Sequence, residues 1–107
     1  MITRVTRGTV RRNSEARVFE ILRQATREMP QPPGLLGVSI SRQVKGDVVE
    51  LLSVSIWHDF DAMTAIIGPN WREPSWLPGL GEAIESSSLE ILETVASSYE
   101  ELVRATE

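Results

Sequence analysis

The sequence predicts an α+β domain in which a four-stranded antiparallel sheet carries two helices on one face. Three observations support this prediction: alternating segments rich in β-branched residues, two amphipathic helical segments between them, and a proline-rich break after each helix. The resulting order, β-α-β-β-α-β, is the split βαβ arrangement, and right-handed crossovers place its first and last strands side by side. With 107 residues the chain has room for one domain over 1–107, with a C-terminal extension at 98–107.

The start of the chain predicts a strand followed by a helix. Residues 1–10, MITRVTRGTV, alternate and are rich in β-branched residues, as is typical of a strand. Asn13 or Ser14 then caps a helix, because apolar residues recur with helical spacing at Val18, Phe19, Leu22, Ala25 and Met29. The segment PQPPG at 30–34 ends this helix, since proline cannot continue it.

The middle of the chain predicts a hairpin of two strands, 35–44 and 48–57, joined by a three-residue loop that contains Gly46. A slip of one residue would place apolar residues opposite serines or move them to the other face. We therefore favour the register that pairs apolar residues with apolar residues. The expected pairs are Val44 with Val48, Ile40 with Leu52, Val38 with Val54 and Leu36 with Ile56 on one face, and Leu35 with Trp57 on the other.

The second half of the chain predicts a helix, a broken segment and a last strand. Asp59 is a favourable N-cap for a helix whose apolar side holds Phe60, Met63, Ile66 and Ile67. The segment 68–79 breaks this helix with a glycine and three prolines. Residues 80–87 then predict a short helical turn and residues 88–97 a fourth strand, while 98–107 fit either a terminal helical turn or a frayed tail.

The net charge of -4 conceals an asymmetry between the two ends of the chain. The first 29 residues hold seven arginines and three glutamates, whereas the last 26 hold seven glutamates and one arginine. A basic arm for nucleic acid is one interpretation, but the arginines are mixed with acids and no aromatic residues alternate with them, so we expect no nucleic-acid partner. The other interpretation pairs the two ends, with Arg4 and Arg7 opposite Glu90 and Glu93.

Composition excludes several classes of site. Without cysteine the chain has no disulfide framework, thiolate metal site or cysteine nucleophile, and one histidine with scattered carboxylates makes a zinc site improbable. We therefore expect no metal and no cofactor. The apolar runs are too short to span a membrane, and the N-terminus lacks the apolar core of a signal peptide, so we expect a cytoplasmic protein.

Helices on one face leave the other face of the sheet, or its edge, uncovered. We expect Leu35, Leu51 and Trp57 to lie there, which is too much apolar surface to expose to water. A homodimer that closes sheet against sheet would bury this surface.

These features together resemble the antibiotic biosynthesis monooxygenase-like family, which are dimeric α+β barrels of the ferredoxin-like type. The resemblance extends from residue 1 to about residue 96 and is carried by the opening strand, by PPGLLG at 32–37 and by SIWHDFDAM at 55–63. It implies the fold and a homodimer, but not one reaction. The family includes quinone-forming monooxygenases, haem-degrading enzymes, isomerases, decarboxylases and proteins without known activity.

The haem-degrading branch of this family uses an asparagine on the first strand, a tryptophan in the second helix and, further along, a histidine that binds the iron. Counted from Trp57, the tryptophan position falls near Ile66 and the histidine position near Trp76, and residues 2–10 contain no asparagine. The resemblance therefore disfavours a haem-degrading role.

The cofactor-independent oxygenases of the family act on electron-rich polycyclic phenols that react with O2 once deprotonated. Such chemistry needs an apolar slot for the rings and a polar group that accepts a proton or stabilises the anion. The resemblance thus implies two catalytic candidates, His58 and Arg72, and a set of residues that bind a small apolar or aromatic substrate between helices and sheet: Met63, Ile66, Asn70, Trp71 and Trp76.

Each of these residues also has a structural interpretation. His58 fits a surface or capping histidine, and Arg72 fits a solvated pair with Glu73. Trp71 and Trp76 fit packing or a dimer contact as well as a pocket wall, and Trp57, outside this set, fits the core or the dimer interface. Two hypotheses of function therefore stand: a cofactor-independent monooxygenase acting on an aromatic or polyketide-like compound, and a non-catalytic dimeric protein that binds a small molecule. Exposure of both His58 and Arg72 to solvent would weaken the first.

Overall fold

The computed structural model describes residues 1–28, 31–76 and 80–95, and it confirms the predicted α+β fold. The sheet is antiparallel, with strand order β2-β3-β1-β4. The elements are β1 (Ile2–Arg11), α1 (Glu15–Glu28), β2 (Leu35–Lys45), β3 (Val48–Trp57), α2 (Phe60–Ile67) and β4 (Ile84–Glu93), with a short 3-10 helix at Arg12–Ser14 before α1. Within the described residues, no helix combines the length and the apolar character that crossing a membrane requires.

Two hydrophobic clusters lie between the helices and the sheet. The first joins α1 to one end of the sheet and contains Val10, Val18, Leu22, Leu51 and Leu80. The second joins α2 to the other end and contains Leu35, Trp57 and Met63. The expectation that Leu35, Leu51 and Trp57 lie on the uncovered face is therefore wrong, because their positions in the register point them towards the helices.

The uncovered face of the sheet carries a different apolar set. Residues that alternate with the core positions point away from the helices, and among them Val5, Leu52, Val54 and Ile56 form a continuous apolar area across β1 and β3. Val5 is buried even so, because its neighbours on the adjacent strands cover it. The face that an oligomer partner could cover is thus apolar, as expected, but its residues are not those predicted.

The hairpin has a two-residue turn, so the predicted register is wrong by one residue over most of its length. Lys45 pairs with Val48, which leaves Gly46 and Asp47 in the turn, and Gly46 has the positive φ of 63° that such a turn requires. Ile40 and Val38 consequently face serines of β3. A bulge between Leu35 and Gly37 then shifts the register back, and the predicted pair of Leu35 with Trp57 is confirmed.

The last strand begins earlier than predicted. Residues 80–83 form a turn closed by the Ala83 N–H, which donates to the Leu80 carbonyl at 3.0 Å, and β4 starts at Ile84. The helical turn expected at 80–87 is therefore wrong in its second half, where residues pair with β1 instead. The extension expected at 98–107 lies outside the described residues.

Only one of the two predicted arginine pairings is present. Arg7 Nε lies 3.2 Å from Glu90 Oε1, and Arg11 pairs with Glu85, so the basic and acidic ends of the chain do neutralise each other across β1 and β4. Arg4 forms no such pair. It lies three residues before Arg7 on the same strand, and side chains separated by an odd number of residues point to opposite faces of the sheet. Arg7 points to the uncovered face and Arg4 points to the helices.

The start of α2 follows the prediction. Asp59 is its N-cap, and Asp59 Oδ1 accepts a hydrogen bond of 2.7 Å from the Ala62 N–H. The chain just before β2 is fixed against this helix at Gly34. The φ of Gly34 is +86°, and its carbonyl accepts a hydrogen bond of 2.8 Å from the His58 N–H. A Cβ on Gly34 would lie 2.5 Å from the Ala62 Cβ, so glycine is required there for both backbone conformation and space.

The variant Gly34→Ala should therefore lower the free energy of unfolding. A left-handed backbone costs a non-glycine residue about 1–2 kcal/mol, and the contact with Ala62 adds to that cost. Gly37→Ala is the matched control, because nothing lies within 4 Å of its added Cβ and its φ is not positive. Urea unfolding measures both, and equal midpoints for the two variants would contradict the placement of Gly34 against α2.

The N-cap gives stability a defined pH dependence. The pKa of Asp59 is lowered, first by the hydrogen bond from the Ala62 N–H and then by the contact with His58. A depressed folded-state pKa means that the carboxylate stabilises the fold above its unfolded pKa and that this contribution is lost as the pH falls through the folded pKa. Between about pH 6 and about pH 3, wild type should lose more unfolding free energy than Asp59→Asn, which caps without titrating. Parallel stability curves would exclude this role.

Candidate functional site

A groove of about 970 Å³ lies between α1 and the edge strand β2. Its apolar surface comes from Phe19, Leu22 and Ile40, of which the first two lie on α1 and the third on β2. Its charged rim holds Arg12, Glu15, Glu20, Arg23, Arg27 and Arg42. The volume is in the upper part of the range of about 300–1,000 Å³ that small-molecule sites occupy.

Phe19 is the centre of the groove and lies beside two guanidinium groups. The Arg42 Cζ is 5.2 Å from the Phe19 ring centroid and the Arg23 Cζ is 6.0 Å from it, both within cation–π distance. The ring holds these cations beside an apolar surface. A ligand that combines flat rings with a negative charge would match both features.

The charged rim has more cations than anions. Arg42 is paired with Glu15, while Arg23 and Arg27 share Glu20 at 3.7 and 3.9 Å. Four arginines against two glutamates leave an excess of two positive charges around the groove of a protein whose net charge is negative. This excess attracts anionic ligands.

Glu15 differs from the other rim carboxylate in its burial. Its side chain is 14% exposed, whereas the Glu20 side chain is 65% exposed. Packing at the start of α1 thus holds the Glu15 carboxylate beside Arg42, at the apolar surface of the groove. A fixed carboxylate in such a place can accept a proton from a bound acidic group.

A second polar feature lies under the loop that follows α2. Arg4, on the helix-facing side of β1, is 7% exposed. Its Nη1 donates to Thr6 Oγ1 at 3.2 Å, and its Nη2 donates to the Glu73 carbonyl at 3.0 Å and to Ser75 Oγ at 3.3 Å. Its Nε is buried and has no hydrogen-bond partner in the described part of the chain, and burial lowers the pKa of the Arg4 guanidinium.

The loop segment over Arg4, residues 73–76, is anchored by Trp76. Trp76 Nε1 donates to Ser87 Oγ at 3.0 Å, and the ring packs against the first hydrophobic cluster. The ring also crosses Gly8, where an added Cβ would lie 2.7 Å from Trp76 Cζ2. We call residues 73–76 the strap, since they cross the central strand and are held at Arg4 and at Trp76.

The two residues predicted to be catalytic are both exposed. The His58 side chain is 46% exposed, and its Nδ1 lies 3.2 Å from Asp59 Oδ2 at the start of α2. Arg72 is exposed and stacks on Trp71, with its Cζ 4.8 Å from the ring centroid. A catalytic role for these two residues stays a prediction, and their exposure does not favour it.

Four of the five predicted substrate-binding residues lie on the α2 side of the molecule, whereas Trp76 packs on the first cluster, beside α1. Trp71 packs edge to face on Phe60 at 4.8 Å and against the second cluster, Met63 is completely buried in that cluster, and Ile66 is 51% exposed. Asn70 is exposed, and its carbonyl accepts from the Glu73 N–H. None of the seven predicted site residues lines the groove at α1, so their binding role also stays a prediction.

The described residues contain no group of three or more histidines, cysteines, aspartates or glutamates placed to hold a metal ion. The residues present also do not fit a haem whose iron is bound by histidine. His58 is the only histidine of the chain, and it lies outside the groove, beside Asp59. Trp76, which lies near the position expected for the iron-binding histidine, has no imidazole, and its Nε1 donates to Ser87 Oγ.

Comparison with known proteins gives matches among solved structures. No family model matches the chain, and no curated protein matches it in a sequence search. The structure superposes on MhuD, a heme-degrader from Mycobacterium tuberculosis, with a TM-score of 0.68 and 19% identity over 91% of this chain and 98% of that chain. It superposes on SnoaB, a cofactor-independent oxygenase from Streptomyces nogalater, with a TM-score of 0.65 and 20% identity over 92% and 97%.

A third similar structure is an antibiotic biosynthesis monooxygenase, with a TM-score of 0.61 and 12% identity over 90% of this chain and 100% of that chain. The predicted resemblance to antibiotic biosynthesis monooxygenase-like proteins is therefore confirmed at the level of the fold. Because the neighbours are less than a quarter identical to this chain, they do not specify its substrate or its reaction.

The variant Gly8→Ala should displace the Trp76 ring. The added methyl group would also lie 2.9 Å from Ile84 Cγ2, so it has no free space, and such overpacking typically costs about 1–3 kcal/mol. We expect lower stability in urea and a red-shifted tryptophan emission. Gly81→Ala is the control, because nothing lies within 4 Å of its added Cβ. Unchanged emission in Gly8→Ala would show that Trp76 does not cross the central strand.

Proposed function

We propose that the groove between α1 and β2 binds a flat, electron-rich phenol and that the protein catalyses its cofactor-independent oxygenation. The observation that carries this proposal is the arrangement around Phe19, where an apolar surface, two guanidinium groups and the Glu15 carboxylate lie together. The reaction class is supported by the shared fold with SnoaB, whose name describes a cofactor-independent oxygenase. We also propose that the chain is a member of the antibiotic biosynthesis monooxygenase-like family.

The reaction proposed is the oxidation of a ring CH2 group that lies between aromatic rings and opposite a carbonyl. Loss of a proton from this tautomer, or from its phenol form, gives one stabilised anion. The anion donates electrons to O2, a carbon–oxygen bond forms, and the resulting hydroperoxide loses water to give a quinone carbonyl. One oxygen atom of O2 enters the product and the other leaves as water, so that the four electrons lost by the substrate balance those gained by O2.

Two residues of the groove have defined roles in these reaction steps. Glu15 accepts the proton, since its carboxylate is fixed at the apolar surface. Arg42 stabilises the anion, because its guanidinium is held beside both Glu15 and the Phe19 ring and needs little reorganisation when the charge develops. The apolar side chains of Phe19, Leu22 and Ile40 contact the rings of the substrate.

A homodimer is part of this proposal. The apolar area formed by Val5, Leu52, Val54 and Ile56 lies on the face of the sheet that points away from both α1 and α2. Symmetric packing of two such faces would remove this area from water, and it would leave the groove free because the groove lies on the helix side of the sheet.

The second candidate is a non-catalytic dimeric protein that binds the same class of ligand. One observation favours it: Glu15 is already paired with Arg42, so its carboxylate is occupied before a ligand binds. In this case the groove binds the phenol but does not accelerate its reaction with O2.

Thermal shift and oxygen uptake with anthrone-type and naphthol-type phenols test the proposal. A ligand at a hundred times its dissociation constant adds about 2.7 kcal/mol to stability, which raises the melting temperature by several degrees in a domain of this size. We expect Phe19→Ala to abolish this shift. The matched control is Phe60→Ala, since Phe60 also lies on a helix but outside the groove.

Oxygen uptake then separates the two candidates. We expect wild type to consume one O2 per molecule of phenol. Glu15→Gln should still bind the phenol, but its rate of oxygen uptake should fall by a factor of about 10²–10⁴, the usual contribution of a general base. Binding without any acceleration of oxygen uptake in wild type would support the non-catalytic protein. No shift with any of these phenols, or an equal shift in wild type and Phe19→Ala, would reject the groove as their site.

A further inference from the structure

Arg4 combines deep burial with an incomplete set of hydrogen bonds. The residue lies near the start of β1, an interior strand, opposite Ser55 of β3 and Ile91 of β4, and it is 7% exposed. Buried arginines are normally paired with a carboxylate, because an unpaired buried charge is costly. In residues 1–28, 31–76 and 80–95, no carboxylate pairs with Arg4.

The acceptors that Arg4 does have are neutral. They are the hydroxyls of Thr6 and Ser75 and the carbonyl of Glu73, and the last two come from the strap. Both strap acceptors bind the same nitrogen, Nη2, at 3.0 and 3.3 Å. The Nε–H, which points in the same direction as one Nη2–H, is buried and has no acceptor among the residues that the structure describes.

The Nε–H and Nη2–H of a guanidinium form the edge that binds a carboxylate through two parallel hydrogen bonds. In Arg4 one half of this edge has no partner and the other half has weak, neutral partners. A carboxylate would satisfy both halves and supply the missing negative charge. The groups it would displace from Arg4 are the Glu73 carbonyl and the Ser75 hydroxyl, both on an otherwise exposed segment.

The strap can release Arg4 without leaving the sheet. Its far end stays fixed by Trp76, which donates to Ser87 and packs over Gly8. Glu73, Pro74 and Ser75 are exposed, so a shift of these residues breaks little apolar contact. Space for a small anion can therefore open beside Arg4 at low cost.

We propose that Arg4 is the binding site of a carboxylate, which takes the Nε and Nη2 edge of the guanidinium in place of the strap. This site is separate from the groove, since Arg4 and the strap residues do not line the groove. It does not rest on the proposed oxygenation, and the ligand can be any small organic acid whose body fits beneath the strap.

Isothermal titration with benzoate tests this site, with benzamide as the neutral probe of the same shape. We expect saturable binding of benzoate and at least tenfold weaker binding of benzamide. Arg4→Lys should lower the affinity for benzoate at least tenfold, because lysine cannot form the two parallel hydrogen bonds. Arg7→Lys is the matched control, since Arg7 lies on the same strand but points to the uncovered face, and it should bind like wild type.

Two further variants keep the test decisive if Arg4→Lys fails to fold. Ser75→Ala should bind benzoate at least as tightly as wild type, because the ligand replaces that hydroxyl. Phe19→Ala should also leave the affinity unchanged, because Phe19 lines the groove and Arg4 does not. Loss of binding in Phe19→Ala would place benzoate in the groove and overturn the proposal. Equal affinity for benzoate and benzamide, or no saturable binding to wild type, would overturn it as well.

Discussion

The structure depends on one constraint, which is that β1 is paired on both sides and its side chains can point in only two directions. Val10, Gly8, Thr6 and Arg4 point to the helices, while Arg7 points to the uncovered face. Each of these orientations has a consequence. Val10 anchors α1, Gly8 leaves room for Trp76, and Arg7 binds carboxylates on both neighbouring strands, with Glu50 at 3.8 Å and Glu90 at 3.2 Å. Arg4, which has the opposite orientation, is left beneath the strap with neutral partners.

Positive charge therefore collects on the helix side of a protein that is acidic as a whole. Part of it lies in the groove, where Phe19 holds two guanidinium groups, and part lies under the strap, where the sheet holds Arg4. In both places the cation is next to apolar surface. Only Arg4 is buried, so water screens its charge less than it screens the exposed charges of Arg23 and Arg42. This arrangement favours ligands that are flat, apolar and anionic. It is also compatible with oxygen chemistry that proceeds through a substrate anion.

The sequence was sufficient for the element order and for contacts that are local or have a specific signal. The Asp59 cap follows from its place before an apolar helical pattern, and the end of α1 follows from the prolines after it. The hairpin register could not be predicted, because the bulge after Leu35 lets a two-residue turn coexist with the pair of Leu35 and Trp57. The direction of Arg4 was also hidden, since each face of β1 carries arginine together with β-branched residues.

The groove could not be found from sequence either, because it depends on the distance between α1 and an edge strand. Glu15 and Arg42 are far apart in the chain, and only the register brings them together. The central claim is that one cation, Arg4, lies buried between helices and sheet, ready for an anion. The most direct test is nuclear magnetic resonance of the arginine Nε–H groups in the free protein. The account predicts that Arg4 Hε exchanges with water far more slowly than Hε of the exposed Arg17; equal exchange rates would contradict it.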